Sequence, residues 1–313
     1  MLVLTARDVQ ELLDLDALVD ALAPAFVDVS SGSASLPPRI AAFSGRGLLG
    51  VMPAYLPSSD VLETKLVTLF EGNAGTDLPT HQGAIAVFDS ERGNLLALMD
   101  GTYITATRTA AGAALSVRTL ARANARVLAI CGTGVQARTH ARAVPRVRDF
   151  DEVRIAGRDP AKAEALAAEL GARACASFEE AVRGADVVCA TTHADQPVVR
   201  GEWLAPGAHV TSVGVNPHGR ELAPDVVDGA LVVVEQRAAA FAPFPSGAND
   251  LDGLRPEDTV EIGEILAGSH PGRESDEQRT VYKSVGIGVM DAAAAALVLR
   301  AARERGVGTE LEL

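Results

Sequence analysis

The chain has 313 residues, of which 48% are apolar and 22% are charged, as expected for a globular protein large enough for two domains. Lys and Arg number 28 against 41 Asp and Glu, so the net charge is −13, which argues against a nucleic-acid or anionic-membrane partner. The N-terminus does not resemble a leader, and no apolar run is long enough to span a membrane. We therefore expect a cytoplasmic protein.

Cysteine usage agrees with a reducing compartment. Cys131, Cys175 and Cys189 lie in or beside predicted strands, and their spacing does not fit a metal site. We interpret the three thiols as small buried side chains and expect no bound metal.

The N-terminal third is predicted to begin as helix and continue as sheet. Residues 1–35 carry apolar side chains at helical spacing, and Thr5 with Asp8 forms the expected opening cap. The predicted strands are residues 39–42, 48–52, 61–70, 83–88 and 95–99. The last two form a hairpin through the turn at residues 89–94, so an antiparallel or mixed sheet is expected.

From residue 105 onward, helices and strands alternate. A helix is predicted over residues 105–123, and Asp159, Pro160 and Gly171 begin and end a later one. The predicted strands are residues 127–131, 153–156, 172–174, 186–190, 209–213 and 231–234. This alternation is typical of an α/β protein with a doubly wound parallel sheet.

The C-terminal part is predicted as an acidic helix-and-loop segment, residues 250–277, and an alanine-rich helix that begins near residue 288. We expect this last helix to return to the N-terminal domain. The predicted domains are residues 1–118 together with 288–313, and residues 119–287.

A glycine-rich turn organises the second predicted domain. The apolar run at residues 127–131 leads directly into Gly132-Thr133-Gly134, and a helical pattern begins at Val135. The glycines permit a tight turn and leave N–H groups at a helix N-terminus free to bind a pyrophosphate. A glycine triplet by itself is a weak signal. The strand before it, the helix after it and the alternation downstream predict a Rossmann-type dinucleotide-binding domain.

The end of the next strand bears on the choice of cofactor. A carboxylate there would bind a ribose 2′-hydroxyl, whereas a cation would suit a 2′-phosphate. The sequence at this point reads Ala156-Gly157-Arg158-Asp159, and Asp159 has a competing role as a helix cap. Arg158 therefore favours NADP(H), with NAD(H) as the alternative.

Three cations outside the dinucleotide domain are candidate anion-binding residues. Arg108 falls in the first turn of the predicted helix, against the helix dipole, where it either binds an anion or is a tolerated surface arginine. Lys65 alternates onto one strand face with Val67 and Leu69, so it either extends to the strand edge or points into a pocket. Arg39 is a third isolated cation, and the same two interpretations are open for it.

The order of several short motifs resembles the ornithine cyclodeaminase/mu-crystallin family over about residues 1 to 300. These motifs are Met52-Pro53-Ala54-Tyr55-Leu56, Lys65, Leu78-Pro79-Thr80-His81-Gln82-Gly83, Asp100-Gly101-Thr102, Thr105-Ala106-Thr107-Arg108-Thr109-Ala110-Ala111, Gly132-Thr133-Gly134-Val135-Gln136-Ala137, Val285-Gly286-Ile287-Gly288 and Met290-Asp291-Ala292-Ala293. The resemblance is specific because most of these motifs lie outside the dinucleotide fold.

The resemblance implies a homodimer, with a Rossmann domain and an α+β substrate-binding and dimerisation domain. Family members move a hydride between nicotinamide and the α-carbon of a small amino or imino acid. By resemblance, Arg39, Lys65 and Arg108 bind the substrate carboxylate, and Lys65 is a candidate for proton transfer. The cofactor-binding residues that the resemblance adds to the glycine turn and Arg158 are Thr80, Arg108, Val135, Gln136, Thr191 with Thr192, Val213 and Gly214.

One position departs from the family pattern. In the cyclodeaminases, the loop after the fifth strand carries an aspartate for proton and amine chemistry, whereas Asn216 stands nearest that place here. An amide cannot act as a general base, although it can orient a water or an amine. Asn216 is therefore a candidate catalytic residue that orients a group rather than accepting a proton. The nearest carboxylate is Glu221, whose default interpretation is a salt bridge within the loop.

The expected function is reduction of a cyclic imino acid, of the 1-pyrroline-2-carboxylate or ketimine type, by NADPH or NADH. Two enzymatic alternatives are an ornithine cyclodeaminase and an alanine dehydrogenase. A third alternative, from a different class, is a non-catalytic NADP-binding protein of the mu-crystallin kind.

Overall fold

The computed structural model of the protein describes residues 1–312, which divide into two units. The first unit contains Met1–Arg108 and the C-terminal segment from Ile287, and the second contains Thr109–Gly286. The division between Arg108 and Thr109 falls inside a helix, earlier in the chain than the expected boundary after residue 118.

The elements follow one another as a sheet-forming segment, an alternating segment and a closing helix. The first segment contains β1 (Leu2–Leu4), α1 (Ala6–Leu12), α2 (Leu15–Ser30), β2 (Ile40–Ser44), β3 (Gly47–Leu56), β4 (Val61–Leu69), β5 (His81–Phe88), β6 (Leu95–Asp100) and α3 (Gly101–Leu120). The second contains β7 (Val127–Cys131), α4 (Val135–Ala143), β8 (Glu152–Ala156), α5 (Pro160–Leu170), β9 (Arg173–Ala174), α6 (Phe178–Val182), β10 (Val187–Ala190), β11 (His209–Ser212), α7 (Pro224–Val227), β12 (Leu231–Val234), α8 (Arg237–Ala240), β13 (Val260–Glu261), α9 (Ile262–Leu266) and β14 (Thr280–Lys283). The chain closes with α10 (Gly288–Arg305) and β15 (Thr309–Glu310).

The sheet of the first unit has the strand order β15-β1-β6-β5-β4-β3-β2. β1 pairs with β6 in parallel, and the other neighbours are antiparallel, so the predicted mixed sheet is confirmed. Burial alternates along β3 and β4, because one face of these strands lies under α10. That buried face carries Met52 and Ala54 on β3, and Glu63 and Lys65 on β4.

The first residues of the chain differ from the prediction. Residues 2–4 form β1 rather than helix, because Leu2, Val3 and Leu4 pair with β6, and this tertiary pairing overrides local helical spacing. The predicted cap is confirmed: the backbone N–H of Asp8 donates to Thr5 Oγ1 at 3.3 Å, and that of Thr5 donates to Asp8 Oδ2 at 2.8 Å.

The sheet of the second unit is parallel, with the order β13-β12-β14-β11-β10-β7-β8-β9. The order reverses beside β7, the strand that ends at the glycine turn, which is where a doubly wound sheet binds its ligand. The predicted fold class is confirmed. The sequence-based strand list omitted β13 and β14, and β14 lies inside the sheet between β12 and β11.

The start of α3 corrects the argument made for Arg108. The helix begins at Gly101, directly after β6, and the N–H of Tyr103 donates to Asp100 Oδ2 at 2.7 Å as an N-terminal cap. Arg108 therefore lies beyond the first turn, and the expected opposition to the helix dipole was wrong.

No helix within residues 1–312 is long and apolar enough to cross a membrane.

Candidate active site

A buried group of charged side chains lies on the covered face of the first unit. We call it the Lys65 cluster, and its members are Arg39, Glu63, Lys65, Arg108 and Asp291. β4 supplies Glu63 and Lys65 from alternate positions of one strand face, α3 supplies Arg108, and α10 supplies Asp291. Arg39 precedes β2 and is half-buried.

Asp291 bridges two of the cations. Lys65 Nζ lies 2.7 Å from Asp291 Oδ2, and Arg108 Nε donates to Asp291 Oδ1 at 3.1 Å. All three side chains are almost completely buried. Arg108 Nη1 also contacts the sulfur of Met290 at 3.6 Å, and no described residue accepts from Nη2. The guanidinium thus keeps donors available for a ligand.

The ionisation of this pair follows from burial and from the neighbouring charges. Burial lowers the pKa of Lys65 to about 8, with Arg108 and Arg39 acting in the same direction and Asp291 opposing them. Burial acts to raise the pKa of Asp291, but Lys65 and Arg108 outweigh it and hold the pKa below its usual value. Lys65 and Asp291 are both charged at neutral pH.

Glu63 differs from Asp291. It is 2% exposed, and neither of its carboxyl oxygens has a hydrogen-bond partner among the described residues. Burial and the nearby Asp291 raise the pKa of Glu63 well above its usual range, against the smaller effects of Lys65 and Arg108. These effects favour the neutral, protonated form of Glu63.

The Lys65 cluster carries an excess of positive charge. Two buried cations, Lys65 and Arg108, share one ionised carboxylate, Asp291, and the ionised form of Glu63 is disfavoured. The net positive charge of these buried groups favours an anionic ligand such as a carboxylate. Sequence reasoning selected the three cations and missed both acids. A signal for Asp291 was present, since it is a lone charge in the apolar stretch of α10, and Glu63 lies two residues before Lys65.

The glycine turn of the second unit has the geometry of a phosphate site. Gly132 has φ 138°, and a Cβ there would lie 2.9 Å from the carbonyl oxygen of Thr191. Gly134 is the N-cap of α4, without a side-chain cap, and a Cβ on it would meet no atom within 4 Å. Val135 is 66% exposed, and Gln136 is half-buried beside it. Open N–H groups at a helix N-terminus with space in front of them suit a pyrophosphate.

Two charged residues, Arg158 and Asp159, follow the end of β8. Asp159 Oδ1 accepts from the backbone N–H groups of Ala161 at 3.1 Å and Lys162 at 3.4 Å, so it caps α5 as predicted. Arg158 is exposed, and its guanidinium has no partner among the described residues. A free cation and an occupied carboxylate suit a 2′-phosphate better than a 2′-hydroxyl.

Glu221 organises the loops after β10 and β11. Its carboxylate accepts from the N–H and hydroxyl of Thr192, from Ser212 Oγ at 2.7 Å, and from the N–H groups of Val213 at 3.1 Å and Gly214 at 2.7 Å. The interpretation of Glu221 as a loop salt bridge was wrong, because backbone and hydroxyl donors occupy it. On the same side of the sheet, Thr191 Oγ1 donates to the carbonyl of Cys131, at the end of β7, at 3.0 Å.

A buried ion pair between Lys283 and Asp250 contacts the same loops as Glu221. Lys283, at the end of β14, donates to Ser212 Oγ at 2.9 Å and to the carbonyl of Gly214 at 2.6 Å, and it pairs with Asp250 Oδ2 at 2.8 Å. Asp250 Oδ1 in turn accepts the N–H of Glu221 at 2.8 Å. Sequence reasoning missed this network, since the strand that carries Lys283 was not predicted.

Asn216 uses its amide within the loops of the second unit. Its Nδ2 donates to the carbonyl of Ala194 at 3.2 Å and to Asp195 Oδ1 at 3.0 Å, and its Oδ1 accepts the N–H of His218 at 2.9 Å. Asp195, an exposed acid from the loop after β10, thus lies beside Asn216, although no acid adjoins it in sequence. The catalytic assignment of Asn216 stays a prediction.

Two residues expected at the cofactor belong to the first unit. Thr80 is half-buried just before β5, and its carbonyl accepts the N–H of Phe70 at 2.9 Å. Arg108 is held by Asp291 as described above. Their assignment to the cofactor also stays a prediction.

The chain is similar over most of its length to several named proteins. Ketimine reductase mu-crystallin from Mus musculus is 43% identical over 256 residues, covering 81% of this chain and 80% of that protein. The Delta(1)-pyrroline-2-carboxylate reductase of Thermococcus litoralis, solved with NADH and L-proline, has a TM-score of 0.92 at 32% identity, covering 99% of this chain and 100% of that one. An archaeal alanine dehydrogenase dimer with bound NAD has a TM-score of 0.91 at 31% identity, with coverage of 100% and 99%.

The sequence profile of the Ornithine cyclodeaminase/mu-crystallin family matches residues 1–306. The resemblance inferred from the motifs is confirmed, and this chain belongs to the ornithine cyclodeaminase/mu-crystallin family.

Proposed function

We propose that this protein reduces a small cyclic imino acid, of the 1-pyrroline-2-carboxylate or ketimine type, by hydride transfer from a reduced nicotinamide dinucleotide to the α-carbon. It is an NAD(P)-dependent oxidoreductase that acts on a small amino or imino acid. The observation that carries the proposal is the excess of buried cations over ionised carboxylates in the Lys65 cluster.

The chain's own residues have separable tasks in this reaction. Lys65 and Arg108 bind the substrate carboxylate, and Arg39 adds positive charge beside them. Cations next to the carboxylate also favour addition of a hydride to the neighbouring α-carbon. Asp291 holds Lys65 and Arg108 in place before the substrate arrives.

The second unit binds the cofactor, which supplies the hydride when bound. The N–H groups that follow Gly132 and Gly134 bind the pyrophosphate, with Val135 and Gln136 beside it. Thr191, Val213 and Gly214 line the nicotinamide side, in loops that Glu221 fixes.

NADP(H) is the favoured cofactor. The support is the exposed Arg158, which has no partner among residues 1–312, together with the use of Asp159 as a helix cap. A free guanidinium can bind a 2′-phosphate in bidentate fashion.

The protein forms a homodimer in this proposal. Large apolar side chains are exposed together on one face of the sheet of the first unit: Ile40 is 65% exposed, Leu49 is 42% exposed and Leu66 is 38% exposed. Exposed apolar side chains grouped on neighbouring strands are typical of a protein–protein interface.

The test is a steady-state assay of cofactor oxidation with a panel of imines, led by 1-pyrroline-2-carboxylate and 1-piperideine-2-carboxylate. We expect oxidation of NADPH with formation of the cyclic amino acid. Release of proline and ammonia from ornithine with catalytic NAD would contradict the proposal in favour of a cyclodeaminase. Tight cofactor binding without turnover of any imine would contradict it in favour of a binding protein.

A further inference from the structure

Glu63 is a buried acid with no role in the substrate-binding scheme above. It is 2% exposed, and both of its carboxyl oxygens are without a hydrogen-bond partner among the described residues. A buried polar group without a partner carries a free-energy penalty. A ligand that supplies the missing partner would remove that penalty.

Burial, together with Asp291 on α10, raises the pKa of Glu63 and favours its neutral form. Lys65 on β4 and Arg108 on α3 also face Glu63, and their smaller effects oppose this shift. Asp291 already carries the negative charge that pairs with the two cations, so a second ionised carboxylate beside it is disfavoured. A neutral carboxyl group is both a donor and an acceptor of a hydrogen bond.

We propose that Glu63 is a catalytic acid that donates its proton to the imine nitrogen of the substrate. The inference rests on the proposed function, since it takes the substrate to be an imino acid. Lys65, the candidate for proton transfer named from the sequence, is paired with Asp291 at 2.7 Å and binds the carboxylate in this scheme, so the proton for the nitrogen is assigned to another group.

The positions of Glu63 and Lys65 on β4 suit a substrate of this shape. Residues two apart on a strand face lie about 7 Å apart. In an α-imino acid the nitrogen and the carboxylate are both bonded to the α-carbon. A carboxylate held by Lys65 therefore leaves the nitrogen within reach of a neighbouring side chain on the same face, and Glu63 occupies that place.

The step balances as a two-electron reduction. The hydride arrives with both electrons of its C–H bond and forms a new C–H bond at the α-carbon. The electron pair of the C=N π bond moves to the nitrogen, which takes the proton from the Glu63 carboxyl group. The O–H bond breaks and leaves its electron pair on Glu63, which is reprotonated from solvent before the next turnover.

A binding experiment tests contact with the ring atom without any turnover. Protein saturated with oxidised cofactor is titrated calorimetrically with tetrahydrofuran-2-carboxylate, whose ring oxygen accepts a hydrogen bond, and with cyclopentanecarboxylate, which lacks that acceptor. We expect the wild-type protein to favour the first ligand by about tenfold. Glu63→Gln, which keeps a donor, should retain this preference, and Glu63→Leu should lose it.

A kinetic experiment separates proton donation from hydrogen bonding. Glu63→Gln should lower kcat for the imine by about 10² to 10⁴-fold. The deficit should shrink as the pH is lowered below 8, where Lys65 carries its charge and the imine increasingly arrives already protonated. Glu91→Gln, in the exposed hairpin turn of the same unit, is the matched control and should leave kcat unchanged.

Three outcomes would overturn the inference. They are unchanged kcat in Glu63→Gln, a kcat deficit that does not vary with pH, and an equal ligand preference in Glu63→Leu and the wild type. A wild-type protein that reduces no imine would instead overturn the proposed function, and the inference with it. The two failures are distinguishable because the first is seen in the variants and the second in the wild type.

Discussion

At the scale of single residues, Asp291 determines how Lys65 and Arg108 can be buried. Each cation has an oxygen of the same carboxylate as its partner, at 2.7 Å and 3.1 Å. Removing one member of a buried charge pair costs about 3–5 kcal/mol, because the remaining charge is left without compensation. The same arrangement leaves donors on Arg108 for a ligand carboxylate.

Lys65→Met should impair catalysis far more than cofactor binding. We expect kcat/KM for the imine to fall by roughly 10 to 100-fold, since a charged hydrogen bond to the carboxylate, which contributes about 1.5–3 kcal/mol, is lost. The dissociation constant for NADPH should change by less than about twofold, because Lys65 does not belong to the cofactor-binding unit. Steady-state kinetics and cofactor fluorescence titration measure the two effects. Lys162→Met, on the exposed side of α5, is the control, and equal loss of both properties in Lys65→Met would refute the assignment.

Arg158→Ala should change the choice of cofactor. A guanidinium bound to a phosphate contributes about 1.5–3 kcal/mol, so the preference for NADPH over NADH should fall by roughly 10 to 100-fold. The ratio of kcat/KM values for the two cofactors measures it. Arg142→Ala, which removes an exposed partner of Glu169, should leave the ratio unchanged. An unchanged ratio in Arg158→Ala would show that the cofactor is selected elsewhere.

The three cations of the Lys65 cluster were found from the sequence, whereas its two acids were not. A cation at an apolar strand or helix position is recognisable in the sequence as a candidate binding residue. An acid in an alanine-rich helix, such as Asp291, does not indicate which residue it pairs with. Its partner Lys65 is far away in the chain, and pairing at that distance depends on how α10 covers β4. Local patterns do not contain that information.

At the scale of elements, β14 shows where periodicity fails. Thr280–Lys283 is a short strand that ends in a lysine, so its pattern does not stand out as a buried run. The structure buries Lys283 by pairing it with Asp250, a residue from another loop.

The start of α3 was missed for a related reason. Gly101 follows β6 without a loop, and glycine is a poor sign of a helix.

The pH dependence of stability should report a buried histidine on β11. His209 bonds to Ser116 at 3.1 Å and to Thr280 at 2.8 Å, and burial, assisted by Arg273, lowers its pKa to about 3 from a usual value of 6.5. The unfolded chain therefore takes up a proton at a higher pH than the folded chain does. Stability contributed by neutral His209 is present above pH 6.5 and is lost as the pH falls from 6.5 towards 3.

The expected slope is about 1.4 kcal/mol per pH unit for this residue. The urea midpoint of unfolding should fall less steeply with decreasing pH in His209→Gln than in the wild type. The midpoint of the variant at pH 7 should be lower than that of the wild type, because the variant loses buried hydrogen bonds. Exposed His218→Gln should follow the wild-type curve. Parallel curves for the two variants would contradict the role given to His209.

At the scale of the whole molecule, the sequence was sufficient for the fold class, the family and the class of reaction. The glycine turn at Gly132 and the alternation around it depend on local spacing, which a sequence displays directly. The networks around Asp291 and Glu221 join residues from separate elements, and they became visible only once the sheets were assembled.

The proposed dimer makes a prediction at the same scale. Ile40→Asp places a charge among the exposed apolar side chains that share one face of β2, β3 and β4, and it should shift the protein from dimer to monomer at micromolar concentration. Sedimentation equilibrium measures the change. Val135→Asp, which alters an equally exposed apolar residue of the second unit, is the control and should remain dimeric. An unaltered dimer in Ile40→Asp would locate the interface elsewhere.

The reaction proposed for this protein transfers a hydride from the nicotinamide to the α-carbon of an imino acid. The most direct measurement is mass spectrometry of the amino acid formed from 1-pyrroline-2-carboxylate in the presence of NADPH deuterated at C4 of the nicotinamide ring, with each C4 face labelled in turn. We expect one of the two labelled cofactors to deliver a single deuterium, bonded to the α-carbon of proline. Proline without deuterium from either cofactor, or with deuterium at any other carbon, would contradict it.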